Sequence, residues 1–156
     1  MKNLVLFSVI IFLFVACTQV EKESYDPETV KEQVRYLGND IVQALNDNDP
    51  ETLMRDFWKS ESALFMIDGN WIQGHSNISK AIESIPQRRK AMDLKVDKDR
   101  VIVYSEEMAA HIVEFNQRVT MPNDSIVSGQ GVWSTLYKKI DGDWKIVLVH
   151  ESHKVQ

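Results

Sequence analysis

The sequence predicts an α+β fold in which helices come first and a long antiparallel meander closes the chain. Three observations carry this. Asp-Pro-Glu-Thr occurs twice, at 26–29 and 49–52; each run supplies a side-chain acceptor for the N-cap, a proline whose missing N–H costs nothing in a first turn, and an acid at the positive end of the helix dipole. From Leu94 on, strand candidates follow one another where helical stripes ran before. Asp141-Gly142 then separates two alternating runs, and this dipeptide is the strongest short hairpin signal because Gly accepts the positive φ of a tight primed turn. With 156 residues, 44% of them hydrophobic and 26% charged, the chain suits one globular domain with a core. A net charge of -5, with Arg88-Arg89-Lys90 the sole basic cluster, argues against a nucleic-acid partner.

Residues 1–16 read as a targeting segment: Met1-Lys2-Asn3 is a short basic start and 4–16 is apolar apart from Ser8. That run is shorter than the roughly 20 residues a spanning helix needs and matches the apolar core of a signal peptide. With Cys17 directly after Ala16, the segment resembles a bacterial lipoprotein signal, in which the cysteine is lipidated and becomes the mature N-terminus. Phe14 stands where such signals usually carry Leu. The expectation is a lipid anchor holding the domain in the bacterial cell envelope, at the outer membrane or the periplasmic face. Cys17 is the one cysteine, so neither an intramolecular disulfide nor a zinc–thiolate site can form. Residues 17–25 are polar and read as a tether, and the domain is expected over 26–156.

Val30, Val34, Leu37, Ile41, Ala44 and Leu45 fall at helical spacing, predicting an amphipathic helix to about Asn46. The second start opens a short helix with Leu53, Met54, Phe57 and Trp58 on its apolar side. Residues 63–67 and 71–73 read as a strand pair around Asp68-Gly69-Asn70, and Ile78, Ala81, Ile82 and Ile85 as a helical stripe ended by Pro86. Strands are expected at 94–96, 101–104, 109–120 and 126–140, with a turn at Asp97-Lys98-Asp99.

If Asp141-Gly142 is the loop, regular pairing sets Tyr137 opposite Ile146, Thr135 opposite Leu148 and Trp133 opposite His150. One face then carries Trp133, Thr135, Tyr137, Trp144, Ile146, Leu148, His150 and Ser152, becoming polar away from the turn, while Leu136, Val147 and Val149 share the other with Lys138, Lys145 and Glu151. A three-residue loop with a bulge at the turn would shift the pairing by one residue and part Trp133 from His150.

The element order, the run from Ile67 to Gly74 leading into a helix, and the closing Asp141-Gly142-Asp143-Trp144-Lys145-Ile146 with His150-Glu151-Ser152 resemble the nuclear transport factor 2-like superfamily, and within it the small bacterial SnoaL-like members. The resemblance spans roughly 26–154. It implies a cone-shaped fold, with N-terminal helices packed on a curved, mainly antiparallel sheet, a pocket inside, and frequent dimers through the sheet. It does not settle the chemistry, because the superfamily holds isomerases, dehydratases, epoxide hydrolases and cyclases beside non-catalytic modules.

His150 is the first candidate acid or base, since an imidazole titrates near neutral pH. His111 is the second, on a strand whose apolar face carries His111, Val113, Phe115, Gln117 and Val119 and is expected to be concave. Trp133, Tyr137, Ser152 and Trp58 are the candidate ligand-binding residues, and Glu114, the carboxylate alternative, is expected to face out. His150 and His153 cannot share a metal ion, because residues three apart on a strand point to opposite faces. Neither a metal nor another cofactor is implied. The favoured function is binding of a small organic molecule in an apolar pocket. The alternatives are an isomerase, dehydratase or cyclase using a pocket histidine, and a dimerising or partner-binding module.

Overall fold

The computed structural model describes residues 25–154. The expected signal segment, Cys17, nearly all of the tether and the last two residues lie outside them. The elements are α1 (Pro27–Asp47), α2 (Pro50–Arg55), β1 (Leu64–Ile67), β2 (Asn70–Gln73), α3 (His75–Glu83), α4 (Ile85–Arg88), β3 (Ala91–Ser105), β4 (Met108–Thr120), β5 (Ile126–Ile140) and β6 (Asp143–His153). They form the expected α+β fold, with the helices packed on a curved, unclosed six-stranded sheet.

Both Asp-Pro-Glu-Thr runs cap helices as their chemistry demands. The Asp26 carboxylate accepts from the Glu28 and Thr29 amides, and Asp49 does the same for Glu51 and Thr52. At the far end of α1, Asn48 adopts the left-handed conformation at φ 52° and its N–H meets the carbonyls of Ala44 and Leu45. Asn46 then ties α1 to β3 in both directions: its amide donates to the Leu94 carbonyl at 3.2 Å and accepts from the Leu94 N–H at 2.7 Å.

The strand order is β2-β1-β6-β5-β4-β3. All neighbours are antiparallel except β1 and β6, which run parallel. The turn expected at Asp97-Lys98-Asp99 is a bulge instead: β3 is continuous past it, with a register shift between Val96 and Lys98. Unbroken pairing to β4 on both sides outweighs the turn-like composition of those three residues.

The tight turn forms as predicted, with Asp141 at φ 55° and Gly142 at φ 88°. Pairing follows the expected register as far as Tyr137 opposite Ile146. One step on, Leu136 pairs with Leu148, so Val147 is an extra residue in β6 and everything beyond it shifts by one. Thr135 therefore faces Val149, Ser134 faces His150, and Trp133 faces Glu151. The bulge reverses which residues of β6 point inward.

The apolar interior divides in two. One cluster joins α1, α2 and α3 to the sheet through Val34, Phe57, Ile78, Tyr137 and Ile146; the other stacks Leu94, Val113, Phe115 and Trp133.

Candidate functional site

A cavity of about 820 Å³ opens between the helices and the concave face of the sheet. Every layer contributes to its apolar wall, with Leu45 from α1, Phe57 after α2, Phe65 from β1, Ile82 from α3, Trp133 from β5 and Val149 from β6. Trp71 on edge strand β2 belongs to the same wall yet is 66% exposed, which places it at the mouth. A space of this size lined chiefly by aliphatic and aromatic groups, with a few polar ones, has the makeup of a small-molecule site.

Its polar end is built by β6 beyond the bulge, together with the last residue of α4, the residue after it and one residue of β4. Glu151 and His153 line the cavity, as do Gln117, Arg88 and Arg89. The His153 imidazole sits between two carboxylates, with Nδ1 2.8 Å from Asp68 Oδ2 and Nε2 3.2 Å from Glu151 Oε1. The Asp68 carboxylate also accepts from the His153 backbone N–H at 2.9 Å. Asp68 reaches this position because it occupies the β1–β2 turn at φ 46°, and parallel pairing lays that turn beside the end of β6. The Glu151 hydrogen bond, with Asp68 adding to it against some loss of solvation, pushes His153 up to about 9, so the ring is a cation at neutral pH. Its ring and that of Phe115 stand T-shaped with centroids 5.7 Å apart, and Phe115 in turn packs on Trp133 at 4.9 Å.

Arg89 is half-buried, and its three bonds all go to uncharged acceptors: Nε to Asn48 Oδ1 and Nη2 to the Leu45 carbonyl, each at 2.7 Å, and Nη1 to Met92 Sδ at 2.6 Å. Among the described residues no carboxylate comes within ion-pair distance of it. Burial pulls its pKa down, and the nearby Glu151 opposes this only through space.

The sequence-derived candidates scatter. Trp133 lines the cavity as expected. His150 does not: the bulge turns it outward, where it is exposed and opposite Ser134. Ser152 is exposed on the same outer face, opposite Val132. Val149 and Glu151, expected outside, are the residues that face in. His150 and His153 do point to opposite faces. Trp58 is half-buried and outside the lining, its backbone N–H donating to the Ile146 carbonyl.

Tyr137 is fully buried in the larger cluster, not in the lining; burial pushes its ionisation up, and Thr135 lies close to its hydroxyl without making a hydrogen bond. His111 is 3% exposed on the concave side, as predicted, and Glu114 is exposed. The imidazole lies under α1 rather than in the cavity, with Nε2 3.2 Å from Asp99 Oδ2, which also accepts from Arg35 Nε at 2.8 Å. Desolvation lowers the pKa of His111 despite Asp99, favouring the neutral ring with its proton on Nε2. His111 and His150 do not converge.

Asp68, Arg89, Glu151 and His153 escaped the sequence reading. The usable signal was Asp68 in a strand–turn–strand unit, but its partnership with His153 requires β1 to lie parallel to β6.

The model of the family described as SnoaL-like domain matches residues 34–156. Among solved structures, a nuclear transport factor 2-like superfamily protein from Salmonella enterica serovar Typhimurium is similar at 21% identity and a TM-score of 0.76, over 84% of this chain and 95% of that one. A type 3 hexachlorocyclohexane dehydrochlorinase from Novosphingobium barchaimii follows at 13% identity and a TM-score of 0.71, covering 83% and 89%. An uncharacterised protein with a cystatin-like fold from Caulobacter vibrioides is 16% identical with a TM-score of 0.69, covering 80% and 89%. At such identities these likenesses speak for the fold alone. No curated protein matches the chain.

Proposed function

Because the chain belongs to the SnoaL-like domain family, whose fold serves many chemistries, we propose from the cavity itself that this protein binds a small, mainly apolar organic molecule. The observation that carries the reading is the 820 Å³ cavity, walled chiefly by apolar side chains from every layer, with its charged residues being Arg88, Arg89, Glu151 and His153. Binding is favoured over proton transfer by the state of His153. Both ring nitrogens are engaged by carboxylates and the ring stays charged at neutral pH, which suits it to holding a shape or a charge rather than to taking up a proton.

The test uses N-phenyl-1-naphthylamine, an uncharged dye that brightens in apolar surroundings. The folded chain is expected to bind it in saturable fashion, and Ala81→Trp, which fills the cavity from α3, to abolish binding with the circular dichroism spectrum intact. Non-saturable fluorescence, or equal binding by that variant, would refute the reading. Placement in the cell envelope through lipidated Cys17 belongs to the same proposal and is supported by the apolar run of 4–16 and the position of the single cysteine. Radiolabelled palmitate should enter the wild-type chain and not Cys17→Ser.

A further inference from the structure

We infer that the ligand of this cavity is an amphipathic anion, an apolar body ending in one carboxylate, and that Arg89 receives that carboxylate. The inference rests on the binding role proposed above and assigns the chemical class of the ligand. A guanidinium has five N–H donors, and three of those on Arg89 are spent on neutral acceptors at the end of α1 and on Met92. These bonds fix the plane of the group and leave N–H donors on both terminal nitrogens. Arg89 also lines the cavity.

A half-buried cation without a carboxylate in ion-pair contact has lost water and gained only the through-space charge of Glu151, and an incoming carboxylate would restore the balance through charge-assisted, fork-shaped hydrogen bonding. The one acid on the cavity wall, Glu151, is bonded to the His153 cation. Asp68, bonded to the other side of the same ring, is outside the lining. With Arg88 and Arg89 both on the wall beside the Glu151–His153 pair, the polar end carries an excess of positive charge in a chain whose net charge is -5. The remainder of the wall offers apolar contact. An apolar molecule ending in a cation would meet Arg88 and Arg89, and one without charge would leave Arg89 unpaired.

The experiment compares matched pairs by isothermal titration calorimetry on the folded chain at neutral pH: decanoate against decanol for an alkyl body, and 2-naphthoate against 2-naphthol for an aromatic one. In at least one pair the acid is expected to bind roughly tenfold or more tightly than its neutral partner, and the pair showing the larger ratio identifies the body. Arg89→Gln is expected to bring the acid down to the affinity of the neutral compound, whose own binding holds. Since Arg89 also caps α1, the wild-type ratio is measured against salt as well, where a fall with rising ionic strength reads the same charge without any mutation. Equal affinity of acid and neutral compound in both pairs, or an unchanged ratio in Arg89→Gln, overturns the carboxylate assignment and leaves the binding role standing. Failure of all four compounds and of the uncharged dye overturns both.

Discussion

His111 and His153 are perturbed in opposite senses, and their pH dependences follow from that. Burial first of all depresses His111, so the unfolded chain takes up its proton more readily than the folded one, and stability is lost as pH falls below about 6.5. Glu151 and Asp68 raise His153 to about 9; its contribution is complete below about 6.5 and disappears as pH rises through 9. Among histidine effects, stability should therefore peak near pH 6.5, as urea denaturation across pH 5–10 would measure. His153→Gln should flatten the alkaline limb and leave the acid limb in place. Asp68→Asn, which keeps a hydrogen-bonding oxygen but loses the charge of a partly exposed pair, should cost on the order of 1 kcal/mol at pH 7.

At the scale of elements, close approach between α1 and β4 hangs on Gly38. A Cβ there would stand 2.2 Å from the His111 Nδ1, in a ring that Asp99 and surrounding burial hold in place. Alanine would add helix propensity of about 1 kcal/mol, against an overpacking cost of about 1–3 kcal/mol. On balance Gly38→Ala should lower stability by up to about 2 kcal/mol, as denaturant midpoints would show, and Gly38→Ala with His111→Ala should recover part of the loss.

Much at this scale was legible in the sequence. The helix starts at Asp26 and Asp49, the Asp141-Gly142 turn, the concave face of β4 and the pairing as far as Tyr137 all follow from local chemistry. The Val147 bulge does not, since one extra β-branched residue in a strand of such residues leaves no trace in alternation or composition. That residue decides that Val149, Glu151 and His153 face the cavity in place of His150 and Ser152.

Over the whole molecule, class and layering were readable because they depend on element order and amphipathic faces. A pocket was expected from the family resemblance, but its volume was not readable, because that is set by how far α1, α3 and β6 stand apart, a quantity no local pattern encodes. Arg89 illustrates the gap: in sequence it belongs to a basic triplet, and only the fold buries it beside the end of α1. A ligand seated between the helices and the sheet touches both interior clusters and binds only the folded chain. At a hundred times its Kd it should add about 2.7 kcal/mol to stability, observable as an upward shift in Tm by scanning calorimetry. Ala81→Trp should lose that shift.

The parallel seam between β1 and β6 also has a temporal side. β1 and β2 together form a four-residue-long ribbon, too short to persist alone, and their sole bonded neighbour in the sheet is β6, the last of the described strands in chain order. The early half of the polypeptide therefore cannot complete its tertiary structure until β6 has been made.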